Sequence, residues 1–154
     1  MASGLDIAGT QQQILDYLVA NAPTGYQVVE GDVSDALTIT EVDGVRQPTW
    51  VVQFGDTLSE GGSNSFYGPT HDGYYSIFRV YSIGYSAAQS RKGNSVANQL
   101  VLGARFDNVG AIGKVFGGGS FTIGEANSRP VAYVSIASFR FSTNLSDVGS
   151  KVYP

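Results

Sequence analysis

The sequence predicts an α+β domain: a mostly antiparallel sheet packed by two helices, with residues 1–154 forming a single domain. Two amphipathic stretches with helical spacing lie at 10–21 and 86–103. Around them run segments rich in Val, Ile, Tyr and Phe, bounded by Gly, Asp and Pro. A helix, several strands, a helix and a closing strand is an α+β order, not the strict alternation of a parallel α/β sheet. The length of 154 residues suits one core, since about 100–200 residues make a domain.

Thr10-Gln11-Gln12-Gln13 fits a capping box, which places a helix start at Thr10. Ile14, Leu15, Leu18 and Val19 then form one apolar stripe, and Asn21-Ala22-Pro23 ends it. Tyr26–Val29 reads as a short strand. Leu37–Val42 alternates apolar and polar side chains, and Asp43-Gly44 after it is a two-residue turn signal. Trp50–Phe54 is the strand beyond, with Pro48 just outside its paired region because proline cannot donate to a ladder. Residues 55–73 carry five glycines and are expected to form a long loop, with Phe66 and Tyr67 in its middle.

Tyr74–Tyr85 is the most strand-like segment. Tyr75, Ile77, Arg79, Tyr81 and Ile83 fall on one face and Ser76, Phe78, Val80 and Ser82 on the other, so both faces are expected to be covered and the strand central. The second helix follows, with Gly93 and Asn94 as weak points inside it, since an interior glycine costs about 1 kcal/mol against alanine. Residues 103–130 are glycine-rich, with Gly117-Gly118-Gly119 the extreme, and yield no strand on this reading. The last strand runs from Val131 to Thr143, with Tyr133, Ala137, Phe139 and Phe141 on one face and Val134, Ile136 and Arg140 on the other. Residues 1–9 and 144–154 are expected to be flexible or docked on a partner.

Composition narrows the chemistry. Charged residues make up 14%, against a usual ~25%, and cysteine is absent. That removes disulfides, thiol nucleophiles and thiolate metal sites. Residues 1–72 hold ten acids and one base, a net of −9, whereas residues 73–154 hold three acids and eight bases, a net of +5. Such a division suits either mutual neutralisation within the domain or acidic and basic faces that meet between copies. Eight bases spread over the second half form no run of the kind that grips nucleic acid. No apolar run approaches the ~18 residues of a membrane span, and neither a signal peptide nor a membrane partner is expected.

No catalytic motif is complete. Gly113-Lys114 has neither the glycine five residues earlier nor the hydroxyl after the lysine that a phosphate loop needs. No dinucleotide fingerprint or nucleophile elbow occurs. His71-Asp72 invites a triad, but neighbours in an extended segment point to opposite sides, and Asp72-Gly73 reads more simply as a turn. Asp32 and Asp35 lack calcium-loop spacing, and Asn144-Leu145-Ser146 is a glycosylation sequon without secretory context. Arg79 among Tyr74, Tyr75, Phe78 and Tyr81 could stack on single strands, but core packing is the better reading. The expectation is a protein without catalysis, cofactor or metal.

The order of elements resembles the tail terminator (tail completion) proteins of long-tailed bacteriophages over roughly residues 10–143. The resemblance lies in the helix Gln11–Ala20, the strand Pro48-Thr49-Trp50-Val51-Val52-Gln53-Phe54, the stretch Phe78-Arg79-Val80-Tyr81-Ser82-Ile83-Gly84-Tyr85-Ser86-Ala87-Ala88-Gln89, and the closing strand Pro130–Thr143. The hairpin at 34–47 and the 55–73 loop depart from the pattern as insertions. The resemblance implies a homo-hexameric ring in the virion tail, assembled in the bacterial cytoplasm. It would cap the tail-tube protein, stop tube polymerisation and meet the head-connector or neck protein, while DNA passes through the lumen without tight binding. A globule of this length is roughly 40 Å across, so six in a ring leave an opening of similar width. Interface candidates are Phe66, Tyr67, Gln89, Arg91 and Lys92; Asp32, Asp35 and Asp43 are candidates for an acidic lumen or edge. The alternatives are a tail-tube or neck subunit, or a small carbohydrate- or ligand-binding domain built on Trp50, which would require that indole to be exposed.

Overall fold

The first apolar stripe folds as a helix, but it begins before its capping signal. In the computed structural model, which describes residues 7–32, 41–42, 45–59, 64–65, 68–69, 73–106, 112–115, 119–123 and 132–144, helix α1 spans Ile7–Asn21. Thr10 is therefore a helical residue buried beside Ile14 and Leu18, not an N-cap. Ile7 packs on the core as well, and this burial outweighs the local capping alternative. Leu15 is half-buried, and Val19, expected in the stripe, is 56% exposed.

Strand β1 (Gln27–Glu30) lies one residue beyond its expected place. Strands β2 (Glu41–Val42) and β3 (Val45–Arg46) form a hairpin that pairs Val42 with Val45, as the Asp43-Gly44 signal requires; residues 33–40, 43 and 44 lie outside the described residues. Strand β4 (Thr49–Ser59) starts directly after Pro48, as expected, but runs on past Gly55. The segment expected as a loop therefore carries strand as far as Ser59 and, further on, a small pairing, β5 (Asn64–Ser65) with β6 (Gly68–Pro69). The strand continues because Gly55 and Asp56 are accommodated as a bulge opposite Ile77, where the register shifts between Phe54 and Thr57.

Strand β7 (Gly73–Gly84) is central, helix α2 spans Ala87–Val101, and the short strands β8 (Gly113–Lys114) and β9 (Ser120–Ile123) precede the long closing strand β10 (Ala132–Asn144). The glycine-rich 103–130 segment thus does contribute strands. The six-stranded sheet has the order β1-β4-β7-β10, with β8 and β9 both on the outer side of β10. Among the described residues only β1 and β4 run parallel, and the other pairs of this sheet are antiparallel. The β8 and β9 pairings are offset by two residues along β10, since Phe139 lies opposite Lys114 but Ser135 lies opposite Ser120.

Both helices cover one face. Beneath them lie Trp50, Val52, Phe78, Val80, Ala137, Phe139 and Phe141, all buried. Phe78 is the hub, with ring centroids of Phe139, Phe54 and Phe141 at 5.3, 5.9 and 6.2 Å. Tyr17 ties the helices together by donating to the Leu100 carbonyl at 2.9 Å. On the opposite face Val51, Tyr81, Ile83 and Val134 form a second buried cluster. That face is not covered throughout, because Arg79 and Arg140 are exposed on it. The molecule is an α+β domain with a mostly antiparallel sheet.

Candidate functional site

Helix α2 packs closely on the sheet, and small residues permit it. Its buried positions are Ser90, Gly93, Ala97 and Val101, one stripe at helical spacing. A Cβ on Gly93 would collide with Ser82 Oγ and come within 2.9 Å of Tyr26 Oη, so only glycine fits beneath this turn. The interior glycine that looked like a defect is a contact requirement. Tyr26 donates to the Gln89 carbonyl at 3.2 Å, and burial raises its phenol above the ordinary 10.0.

Three buried serines fasten the helix. Ser82 Oγ donates to the Ser90 carbonyl and Ser90 Oγ to the Ser82 carbonyl, each at 3.0 Å. Ser90 Oγ also lies 2.8 Å from Ser135 Oγ. With Ser90's single proton committed to Ser82, Ser135 is the donor in that contact. The hydroxyls serve the fold and one another. Ser90→Ala is expected to cost about 1–3 kcal/mol, because it removes two buried hydrogen bonds and leaves the Ser135 hydroxyl without its acceptor. Urea denaturation checks this, and a loss below about 0.5 kcal/mol would refute the fastening role.

The start of α2 uses its polar side chains locally. Ser86 is the N-cap and accepts from Gln89 N at 3.1 Å, while Gln89 Oε1 accepts from Tyr85 N at 2.8 Å. Of the α2 interface candidates, Gln89 is therefore half-buried and engaged in capping, whereas Arg91 and Lys92 are exposed. Arg91 borders a cleft of about 370 Å³ between α2 and the β9–β10 edge, floored by Ser120, Thr122, Tyr133 and Ser135. Asp32 is exposed just past β1, at the opposite edge of the sheet. The fold does not bring it near Arg91 of the same chain. Phe66, Tyr67, Asp35, Asp43, His71 and Asp72 lie outside the described residues.

A second concavity, of about 450 Å³, lies on the opposite face between Tyr75, Ile77, Val115 and Arg140. The Arg140 guanidinium stands 5.7 Å from the Tyr75 ring centre. Arg79 shares this face, but Phe78 is buried on the other, so the suspected aromatic platform is divided between two sides of the sheet. Trp50 is fully buried, which removes the exposed indole that a carbohydrate platform on it would need. Among the described residues no three His, Cys, Asp or Glu side chains gather as a metal site, and no helix is long and apolar enough to cross a membrane.

The two sheet edges that are unpaired among the described residues were not singled out by sequence. At one, β1 exposes Val29, followed by Glu30 and Asp32. At the other, β9 exposes Phe121, with Lys114 exposed on β8 and Arg91 beside the cleft. The alternation in Ser120-Phe121-Thr122-Ile123 is the signal that would have located the second edge. No protein-family model matches the chain, and no curated protein is significantly similar to it.

Proposed function

We propose that this chain is a structural subunit of the tail-terminator kind. It forms a head-to-tail hexameric ring that caps a tail tube, halts its growth and meets the head connector, leaving a passage for DNA. The observation that carries this reading is the unlike character of the two sheet edges, Glu30 and Asp32 at β1 against Lys114 and Arg91 at the β8–β9 side. Unlike edges favour contacts between different surfaces of identical subunits, and such contacts close into rings when the rotation permits. The element order that resembles tail terminators lends further support, with α1, the long β7, the α2 start at Ser86 and the closing β10 in the places the resemblance implies.

Light scattering on the purified protein over a salt series tests the proposal. A discrete sixfold mass at low salt is expected, decreasing as salt screens the edges. A protein that stays monomeric at all concentrations would overturn ring formation. A mass that grows without limit would instead favour a tube subunit.

A further inference from the structure

We propose that neighbouring copies join strand to strand, β1 of one copy pairing antiparallel with β9 of the next in one register, Val28 opposite Thr122 and Glu30 opposite Ser120. This rests on the self-assembly reading above and specifies its surface. Among the described residues β1 pairs only with β4, and β9 only with β10.

The backbone determines which groups remain for a partner. Gln27 N donates to the Pro48 carbonyl and Gly31 N to the Val52 carbonyl, so the odd residues of β1 face β4. Alternation along a strand then turns the amide and carbonyl of Val28 and Glu30 outward. On the other edge, Ile136 N donates to the Gly119 carbonyl at 2.8 Å, in step with the pairing of Val134 with Phe121 and Ala132 with Ile123. The groups of Ser120 and Thr122 are therefore the ones turned outward. Following strand directions across the sheet, β1 and β9 run oppositely, so joining these edges with the faces kept in line produces an antiparallel pair.

Only one register engages all four outward-facing residues. It also aligns both strands end to end, Gln27 with Ile123 and Glu30 with Ser120. Between the bonded pairs Val29 falls opposite Phe121. Val29 shares a face with Val51, and Phe121 shares one with Val134, and both belong to the face away from the helices. These two side chains, 40% and 39% exposed, thus cover each other. On the helix-bearing face, Glu30 comes over Ser120 at the floor of the cleft that Arg91 borders. Neither Glu30 nor Arg91 has a side-chain partner among the described residues, so each supplies the charge the other lacks.

The chain has no cysteine, which makes a crosslink decisive. A directly opposed, non-bonded antiparallel pair has Cα atoms about 4.5 Å apart, within disulfide reach. Oxidised V29C/F121C protein is expected to give a covalent ladder in steps of 16.3 kDa. V29C/S120C, whose cysteines would lie on opposite faces, is expected to give none. E30R and R91E singly are expected to weaken association about tenfold, and the E30R/R91E double variant to recover it. An oligomer of unchanged mass that does not crosslink would overturn this interface while leaving the ring reading intact. Equal ladders from both cysteine pairs would overturn it as random collision. A monomer at every concentration would overturn both readings.

Discussion

Gly84→Ala is expected to destabilise the fold by about 2–3 kcal/mol, although it adds a single methyl group. A Cβ there would stand 2.6 Å from Ser90 N and 3.0 Å from the Gln89 carbonyl carbon. These are backbone atoms in the first turns of α2, and they cannot rotate aside as a side chain end can. Relief requires lifting the helix, which pulls Ser90 away from Ser82 and Ser135 and opens the contact under Gly93. Several hydrogen bonds and a packed surface therefore fail together, so the cost exceeds that of one close contact. Gly119→Ala is the control, because a Cβ there meets nothing within 4 Å. Urea denaturation should show a lower midpoint for the first variant and little change for the second. Equal midpoints would mean that α2 rides higher on the sheet.

Phe78→Ala is expected to have a larger effect, about 3–5 kcal/mol. The ring is fully buried on the central strand and touches aromatic neighbours from both flanking strands, Phe54 on β4 and Phe139 and Phe141 on β10. Truncation leaves a cavity whose walls are held by two long ladders and cannot close on it. For a chain of this size the melting temperature should fall by about 10–15 °C, measured by calorimetry at low protein concentration. A shift below about 4 °C would show that the helix-bearing face repacks freely. By contrast, Phe121 is well exposed in the isolated chain, so its truncation should affect association, not folding.

The same comparison shows what the sequence can convey. The facing of β7 and β10 was legible residue by residue, since alternating side chains in long strands leave one arrangement that buries Phe78, Phe139 and Phe141 together. The α2 boundaries were legible from its stripe. The start of α1 was not, because Thr10 satisfies a local capping rule that the burial of Ile7 and Thr10 overrides. Gly93 misled for a related reason: helix propensity is a property of the segment, whereas the need for glycine comes from Ser82 and Tyr26, distant in sequence. Strand β9 was hidden by the glycine-rich sequence before it, although Ser120-Phe121-Thr122-Ile123 itself alternates as a strand does. The candidate site was legible only in part. Arg91 and Asp32 were identified by charge, but the edge they bear on depends on strand order, which no local pattern records.

Trp50 gives the fold an optical consequence. It is the only tryptophan in the chain, it lies sealed beneath the helices, and its indole Nε1 has no hydrogen-bond partner among the described residues. With Tyr26 at 5.6 Å as an aromatic companion, it occupies a buried, apolar setting. Its emission in the native protein will be blue-shifted and protected from dissolved quenchers, and it will move to longer wavelength when water enters. Because that light comes from one position at the junction of β1, β4 and α2, it reports the opening of the helix-bearing face alone. Contacts made at the sheet edges will leave it unchanged, so a single spectrum separates a subunit that has come apart from its neighbours from one that has come undone.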